Sequence, residues 1–409
     1  MIVYNEQKAI SLNALSARHR WKFVRLETAR SQAIKIKEIA CYRADLPVFD
    51  GEYVMSHNRV VRSLASTVVR VTAEDGTVGY AEACTLGGNY MDGFPGSLHA
   101  TVAELAPVVL EANVFEADTL VTRMDAALIG HLPGKAVIDN AMWDLRGKLL
   151  GQPVARLLGG VQQSTFGTFT AVGLGHPAEM AEKVGRYAEH GFRHWQLKLG
   201  NDPLQDADRV HAVVDVLPEN SSFLTSDANA GWTVAQTLRF LGAVEGVETY
   251  IEQPCRTVAE LERVRRHTDR PMLVDESVKE PADMLSVVGL GLADALNLKP
   301  TRVGGLTKAA KIRDICVAAG VMILVDEPMG ADLASGATVQ LAATIPAGNF
   351  LSASFFSHEG MPASYRPAGG NATGPTVIDG DIHWNDAPGL GVEVDESVFG
   401  APTAVYSLQ

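Results

Sequence analysis

The sequence has few cysteines and no run of basic residues. The four cysteines are scattered through 409 residues without CxxC spacing, at positions Cys41, Cys84, Cys255 and Cys316. This spacing argues against both a disulfide framework and a zinc knot, and it fits a reducing cytoplasm. The formal net charge is −13, and no lysine or arginine run interrupts the body of the chain, so no nucleic-acid partner is expected. The composition favours a small-molecule substrate instead.

Long apolar segments are also absent. No apolar run reaches the roughly 18 residues that are needed to span a bilayer, and the N-terminus lacks the continuous apolar core of a signal peptide. We therefore expect no membrane association and a cytoplasmic location. Hydrophobic residues make up 46% of the chain and charged residues only 20%, which is typical of a globular protein with two domains or with one barrel and an appendage.

The chain changes character several times along its length. Residues 1–33 form a basic N-terminal extension to which we assign no chemistry. Residues 34–160 begin with two β-rich runs joined at Asp75–Gly76, a strong hairpin signal. Segments with apolar residues at three- and four-residue spacing follow, as in amphipathic helices, so we predict an α+β capping domain that ends at Gly159–Gly160.

Residues 161–355 contain eight short apolar runs of strand character, near residues 168, 197, 226, 251, 274, 297, 324 and 352. Helical segments lie between them, and such alternation indicates parallel βαβ units. Eight units suggest a closed barrel of the α/β class, with its active site where the carboxyl ends of the strands meet. Residues 356–409 are rich in glycine and proline, and we expect this segment to pack back on the capping domain.

Five consecutive strands of the predicted barrel each end in a charged residue: Lys198, Asp227, Glu252, Asp275 and Lys299. Their successive spacings are 29, 25, 23 and 24 residues, close to the length of one βα unit. Because the carboxyl ends of barrel strands meet at one mouth, these side chains should converge there. A charged group in an otherwise apolar strand requires an ion-pair partner, a metal or an exposed cleft.

The three carboxylates predict a metal site. A lone carboxylate near a strand end more often caps a helix or forms a surface ion pair, but three at unit spacing repel one another unless a cation lies between them. Oxygen ligands that leave positions for water and substrate favour Mg²⁺ over Zn²⁺. We assign one Mg²⁺ per subunit to Asp227, Glu252 and Asp275; alternation in a strand points the adjacent Glu276 away.

The two lysines predict acid and base chemistry. Lys198 belongs to the second strand and Lys299 to the sixth, so a closed barrel places them on opposite sides of the metal. An ammonium near a dication has its pKa lowered from about 10.4 towards neutrality, which makes it a usable base. Either lysine would remove the α-proton of a metal-bound carboxylate, and Mg²⁺ would hold the resulting enediolate. Reprotonation then gives racemisation, whereas loss of a β-substituent gives elimination; alternatively, the lysines only neutralise neighbouring carboxylates.

Several motifs occur in a recognisable order: QLKLG, SDANAGW, IEQPC, LVDES and NLKPTRVGGLT. From residue 34 onward the chain resembles the mandelate racemase and muconate lactonizing enzyme branch of the enolase superfamily. The resemblance implies a capping domain, a modified TIM-type (β/α)7β barrel, the same Mg²⁺ ligands, the same acid/base lysines and a homo-oligomer. It also implies that two cap loops, residues 47–60 and 82–94, close the site. Their candidate substrate contacts are Tyr53, Ser56, His57 and Tyr90.

One position departs from the muconate-type pattern. That pattern has Lys-x-Lys on the second strand, whereas Gln196 stands at the first of these positions here and keeps only a hydrogen bond. The substitution resembles a subgroup that acts on proline derivatives, the hydroxyproline betaine epimerases and cis-3-hydroxy-L-proline dehydratases. Met329 stands where the betaine epimerases carry a tryptophan. Methionine offers no cation–π attraction to a quaternary ammonium, which disfavours a methylated substrate.

These observations favour one function and leave others open. The leading hypothesis is Mg²⁺-dependent dehydration of cis-3-hydroxy-L-proline to a pyrroline-2-carboxylate. The alternative is a racemase or 2-epimerase of a proline betaine or an N-acyl amino acid. A metal-dependent hydrolase would use histidine ligands, and no histidine lies at a predicted strand end. A non-catalytic binding protein on an enzyme fold is the remaining alternative; it predicts that alanine at Lys198 or Lys299 leaves the biological role intact.

Overall fold

The computed structural model describes residues 33–48, 51–355, 364–367 and 373–408. The described residues from Ile34 onward belong to one compact unit. The predicted N-terminal extension lies outside the described residues, apart from its last residue. Within the described ranges, no helix combines the length and apolar character that crossing a membrane requires.

The first part of the described chain is rich in strands. They are β1 (Ile36–Pro47), β2 (Tyr53–Met55), β3 (Arg59–Val61), β4 (Ser63–Ala73) and β5 (Val78–Cys84). β1, β4 and β5 form an antiparallel sheet, which we call the cap sheet. Its β4–β5 connection is the turn predicted at Asp75–Gly76, where Gly76 has a φ of 91° and the Thr77 amide donates to Asp75 Oδ1 at 2.9 Å. The prediction of this hairpin is confirmed.

β2 and β3 pair separately, with Tyr53 opposite Val61 and Met55 opposite Arg59. We call residues 53–61 the cap hairpin. The next elements are α1 (Pro95–Val109), α2 (Ala117–Ala127), α3 (Leu132–Leu150), α4 (Val154–Leu157) and β6 (Thr165–Gly167). Before the barrel the strands and the helices are therefore grouped, five strands followed by four helices, as expected for an α+β cap.

Eight parallel strands then form the barrel. They are β7 (Phe169–Val172), β8 (His194–Lys198), β9 (Phe223–Asp227), β10 (Tyr250–Glu252), β11 (Met272–Val274), β12 (Ala295–Leu298), β13 (Met322–Val325) and β14 (Phe350–Ala353). The helices between them are α5 (Pro177–Ala188), α6 (Pro203–Val214), α7 (Val234–Ala243), α8 (Val258–Arg265), α9 (Pro281–Gly289), α10 (Pro300–Val303), α11 (Leu306–Ala319) and α12 (Asp332–Ala342). Each strand pairs with the next in chain order.

The barrel is nearly closed between its first and last strands. An isolated parallel bridge joins Thr168 to Ala353, and the Thr168 hydroxyl donates to the Ala353 carbonyl at 2.9 Å. The Ser352 hydroxyl also donates to the Gly167 carbonyl at 3.0 Å. The predicted fold class, an α+β cap followed by a modified (β/α)7β barrel, is confirmed.

Polar residues start several barrel helices directly after the strand-end loops. Asp202 accepts from two backbone amides at the start of α6. Thr233 and Gln236 form a capping box at the start of α7, as do Thr257 and Glu260 at the start of α8. Such caps satisfy backbone amides that a helix leaves unpaired. They therefore fix the point at which the loops after β8, β9 and β10 continue into helices.

The described part of the C-terminal segment contacts two sheets. Its strands are β15 (Thr376–Ile378), β16 (Asp381–His383) and β17 (Ala404–Ser407). β15 and β16 form a small sheet with β6. β17 pairs antiparallel with β1 at the edge of the cap sheet, with Glu38 opposite Ser407. The chain therefore returns to the cap sheet after completing the barrel.

Helix α3 is buried on almost every side, which differs from the predicted amphipathic helix. Residues 132–147 are all buried, because α3 packs on β4 and β5 and also contacts α10 and α11. Asp139 accepts from the Thr307 amide at 2.8 Å and from its hydroxyl at 2.7 Å. The Trp143 indole donates to the same hydroxyl at 2.8 Å. Asp139 and Trp143 of α3 thus both bind Thr307, a residue of the barrel helix α11.

Candidate active site

The five predicted strand-end residues lie together at the carboxyl end of the barrel. Lys198, Asp227 and Glu252 are the last residues of β8, β9 and β10, while Asp275 and Lys299 directly follow β11 and β12. None is more than 4% exposed. The strand register brings them to one level, since Lys198 lies opposite Asp227 and Asp227 opposite Glu252.

Ion pairs link both lysines to carboxylates on other strands. Lys198 Nζ lies 2.5 Å from Asp227 Oδ2. Lys299 Nζ lies 2.9 Å from Asp275 Oδ2 and 3.0 Å from Asp326 Oδ2. Each ammonium is therefore fixed in position by at least one buried carboxylate.

Glu252 is held differently. It makes no ion pair with a lysine, arginine or histidine in the described part of the chain, and its side chain is fully buried. The Asn297 amide donates to Oε1 at 2.7 Å, and the Gln196 amide donates to Oε2 at 2.8 Å. Burial and the neighbouring Asp227 charge raise the pKa of Glu252 to about 7. A buried carboxylate whose hydrogen-bond partners are all neutral is stabilised when a cation binds to it.

Glu276 also lies beside this cluster, contrary to the expectation from strand alternation. Asn229 Nδ2 donates to Asp227 Oδ2 at 2.9 Å and to Glu276 Oε1 at 3.3 Å. The alternation rule fails because β11 ends at Val274, so the two acidic residues that follow it are not in extended strand pairing. Burial and the Asp227 charge raise the pKa of Glu276 to about 7.

The ligand atoms that the barrel mouth offers are of the kind that Mg²⁺ prefers. They are buried carboxylate oxygens, and two further buried oxygens nearby, Glu276 Oε2 and Asn229 Oδ1, have no hydrogen-bond partner. Hard cations prefer such oxygen ligands. Among the described residues, no three acidic, histidine or cysteine side chains are arranged around a common point that would hold a metal. Lys198, Lys299 and Arg302 contact the carboxylates directly.

The lysine pKa values differ from the predicted lowering. Burial by itself lowers the pKa of each lysine, but the acidic groups around it outweigh burial, so both pKa values lie above the usual range. Asp227 is the largest acidic contributor at Lys198, and Asp326 at Lys299. The predicted lowering depends on the charge of a dication, whereas the side chains alone act in the opposite direction.

A cavity lies between the cap hairpin and the barrel mouth. Six of the predicted site residues line it: Tyr53, Tyr90, Gln196, Lys198, Lys299 and Met329. Tyr53 is buried, which raises the pKa of its phenol to about 12, so the phenol is protonated at neutral pH and can donate a hydrogen bond. The cavity thus brings both lysines to one space that a small molecule can enter.

Two predicted substrate contacts are not among the residues that line this cavity. Ser56 is fully buried, and its hydroxyl accepts from Arg59 Nη2 at 2.5 Å. The side chain of His57 is exposed, while its backbone amide donates to Asn201 Oδ1 at 2.7 Å. Both residues serve the cap hairpin's own conformation and its contact with the barrel.

The cavity wall also contains aromatic rings that the sequence did not single out. Phe169, Tyr187 and Phe355 line it together with Tyr53 and Tyr90. Aromatic faces attract quaternary ammonium groups. The presence of methionine at one position therefore does not by itself exclude a methylated substrate.

Three further residues of the site, Asp326, Arg302 and Asn297, were not predicted from the sequence. Asp326 lines the cavity and pairs with Lys299; its signal was an acidic pair directly after the seventh strand. The Arg302 guanidinium contacts Asp275 and lies over the Tyr90 ring, 5.3 Å from its centroid. Asn297 binds Glu252. Arg302 and Asn297 both lie within the NLKPTRVGGLT motif around Lys299.

Two family models match the chain. The model for the mandelate racemase / muconate lactonizing enzyme N-terminal domain matches residues 53–159. The enolase C-terminal domain-like model matches residues 179–398, which is more than half of the chain. The chain belongs to the mandelate racemase and muconate lactonizing enzyme family of the enolase superfamily. The predicted resemblance is thereby confirmed.

Characterised members of this family cover nearly the whole chain. The cis-3-hydroxy-L-proline dehydratase of Roseibium aggregatum is 37% identical over 91% of this chain and 100% of its own length. The N-succinyl-L-Arg/Lys racemase of Bacillus cereus is 27% identical over 90% of this chain and 97% of its own. Family members of this kind are lyases and isomerases, and this chain is an enzyme of the same superfamily.

The fold also matches solved structures of the family. One is the crystal structure of an enolase superfamily member from Roseovarius nubinhibens complexed with magnesium. It is 32% identical, with a TM-score of 0.84 over 92% of this chain and 100% of that one. The family fold therefore extends through both the cap and the barrel.

Proposed function

We propose that this enzyme removes the α-proton of a small carboxylate substrate, with Lys198 and Lys299 as acid/base groups. The observation that carries the proposal is that both buried lysines line one cavity while each is fixed by a carboxylate of another strand. Groups held this rigidly in a dry site can transfer protons at a defined atom. β8 and β12 are four strands apart in the eight-stranded sheet, so the lysines approach a bound α-carbon from opposite faces.

The proposed metal ligands are Asp227, Glu252 and Asp275, for one Mg²⁺ per subunit. When bound, Mg²⁺ would offset the negative charge that develops on the substrate carboxylate. Gln196 and Asn297 orient Glu252. Support for the metal comes from the oxygen donor set and from the magnesium complex of a 32% identical structure.

The proposed reaction is the dehydration of cis-3-hydroxy-L-proline. One lysine takes the α-proton, the C3–O bond breaks, and the hydroxyl leaves as water after receiving a proton from a protonated lysine. The product is a cyclic enamine, which tautomerises to a pyrroline-2-carboxylate. Similarity to the Roseibium aggregatum dehydratase over its full length supports this substrate, as does the glutamine at position 196.

A second candidate uses the same residues as a racemase or 2-epimerase. Here the second lysine returns a proton to the opposite face of the α-carbon, and the substrate is a proline betaine or an N-acyl amino acid. The aromatic rings of Tyr53, Tyr90 and Phe355 in the cavity favour a methylated ammonium, and similarity to the Bacillus cereus racemase favours an N-acyl substrate.

Product analysis in D₂O separates the two candidates. The enzyme is incubated with Mg²⁺ and each substrate, and the mixture is followed by NMR while the imine is trapped with an aromatic amino-aldehyde. Dehydration accumulates the imine, whereas epimerisation gives α-deuterated substrate of both configurations. If no proline derivative and no N-acyl amino acid gives either of these products, the proposed function is contradicted.

A further inference from the structure

Gln196 lies in the active site without touching either lysine's carboxylate partner. It is the third residue of β8 and only 1% exposed. Its side chain shares a face of the strand with Lys198, two residues further on. Its amide donates to Glu252 Oε2 at 2.8 Å, across the intervening strand β9. The bond therefore joins the second strand of the barrel to the fourth.

Glu252 is clamped from both sides by neutral donors. Gln196 holds Oε2 and Asn297 holds Oε1, at 2.8 and 2.7 Å. Asp227 and Asp275, in contrast, each contact a cationic side chain. Of the three proposed metal ligands, Glu252 alone has both oxygens oriented by neutral side chains and no direct contact with a cationic side chain among the described residues. Lys198 and Lys299 act on its charge only at a distance.

We infer that Gln196 is a positioning residue of the metal centre, which aims the Glu252 carboxylate at the divalent cation without neutralising it. This inference rests on the proposed function, and specifically on Glu252 as a metal ligand. An amide donates a hydrogen bond and adds no charge.

Two substitutions at this position test the orienting role. Gln196→Met keeps the side-chain length but removes the donor, so the Glu252 carboxylate loses one of its orienting hydrogen bonds; partners of metal ligands typically contribute about 10- to 100-fold to metal affinity. Gln196→Lys keeps a donor within reach, as the Lys-x-Lys pattern does, and it should bind Mg²⁺ more tightly than the methionine variant.

Gln340 provides the matched control. It is a buried glutamine of α12, only 1% exposed, that accepts from the Ala155 amide at 2.9 Å and donates to the Leu390 carbonyl at 3.4 Å. It is absent from the residues that line the active-site cavity. Gln340→Met should lower the melting temperature while leaving the Mg²⁺ dissociation constant within about twofold of the wild-type value.

Isothermal titration with MgCl₂ tests the inference on the full chain. It is run on the wild type and the three variants, and circular dichroism checks that each variant is folded. We expect Gln196→Met to bind Mg²⁺ about 10- to 100-fold more weakly than the wild type, Gln196→Lys to bind it more tightly than Gln196→Met, and Gln340→Met to bind normally. Wild-type affinity in Gln196→Met would overturn the orienting role.

The outcome for the wild type distinguishes this inference from the proposed function. If the wild type binds no Mg²⁺, the proposed metal centre fails and the inference fails with it. If the wild type binds Mg²⁺ and both Gln196 variants bind it equally well, only the role of Gln196 is overturned, and the proposed chemistry stands.

Discussion

Two buried lysines lie across the barrel mouth from each other, and each is fixed by a carboxylate. Replacing either by methionine removes the amine but keeps most of the side-chain volume. We expect at least one of Lys198→Met and Lys299→Met to lower kcat about 10²- to 10⁴-fold, the usual contribution of a general acid or base. A racemase should lose activity in both.

The control for this prediction is Lys311→Met, because Lys311 is half exposed and pairs with Asp118 on the surface. Steady-state rates of all three variants are compared with the wild type. Unchanged kcat in both active-site variants would contradict the acid/base assignment.

His194 predicts a pH dependence of stability. Its side chain is partly buried, its ring lies near Phe223, and its Nε2 lies 3.0 Å from the Ser222 hydroxyl. Burial and Arg193 lower its pKa from 6.5 to about 4. Between these values the unfolded histidine binds a proton and the folded one does not, so falling pH favours unfolding. The loss is at most about 3 kcal/mol, at 1.36 kcal/mol per pKa unit.

Urea denaturation of the wild type and His194→Gln between pH 7 and pH 4 measures this effect. The free energy of unfolding of the wild type should fall relative to that of the variant as pH decreases through this window. Two parallel curves would show that His194 does not contribute.

The sequence predicts the positions of single residues well where the length of a βα unit alone determines them. Lys198, Asp227 and Glu252 were expected at one mouth because one βα unit separates each from the next. Arg302 and Asn297 were not recognised, because their partners depend on side-chain reach between strands. Ser56 was predicted as a substrate contact from its loop, but its hydroxyl binds Arg59, which spacing cannot indicate.

At the scale of elements, the cap hairpin is fastened to the barrel loop that follows β8. Asn201 accepts from the His57 amide at 2.7 Å and donates to Asn58 Oδ1 at 3.0 Å. His57 and Asn58 both have left-handed backbones, with φ of 57° and 54°, a conformation that is uncommon for non-glycine residues but that histidine and asparagine adopt more often than most. Asn201 thus fixes the cap hairpin to the barrel, and the same hairpin carries Tyr53, which lines the cavity.

Asn201→Ala should release the cap hairpin. Two hydrogen bonds at about 0.5 to 1.5 kcal/mol each predict a rise in KM of roughly 5- to 150-fold, with a smaller change in kcat. Steady-state kinetics measure both. Asn349→Ala is the control, because Asn349 binds the Val321 carbonyl at 3.3 Å and does not line the cavity. Equal KM values for the two variants would contradict the role of Asn201.

Elements were predictable where a short apolar run or a turn motif marks them in the sequence. The barrel strands and the β4–β5 hairpin follow from apolar runs and from Asp75–Gly76. The burial of α3 was not predicted, because its polar residues resemble an exposed face. Asp139 and Asp144 instead bind Thr307 and the amides of Tyr80 and Leu390, partners that lie far away in the sequence.

At the scale of the whole molecule, the metal centre should stabilise the fold. Three strands of the barrel end in buried carboxylates, and Glu252 lacks a cationic partner among the described residues. A ligand that binds only the folded state adds about 2.7 kcal/mol at 100 times its dissociation constant. We therefore expect saturating Mg²⁺ to raise the melting temperature by several degrees relative to EDTA. Identical melting temperatures in Mg²⁺ and EDTA would contradict a folded-state metal site.

The fold class was predictable because repeated βα units leave a regular pattern in the sequence. The predicted segment boundaries at residues 33, 160 and 355 and the homo-oligomer stay predictions. The return of β17 to β1 is a pairing of distant segments, and no local pattern specifies which strand a short C-terminal strand will join.

The central claim is that this enzyme removes an α-proton with the lysines at the barrel mouth. Release of deuterium to water from α-deuterated cis-3-hydroxy-L-proline, followed by NMR with Mg²⁺ present, tests it most directly, because both dehydration and epimerisation release the label. We predict release by the wild type and its loss, by at least about 10²-fold, in the Lys198→Met, Lys299→Met double variant. Product formation without release, or equal release by the double variant, would contradict the claim.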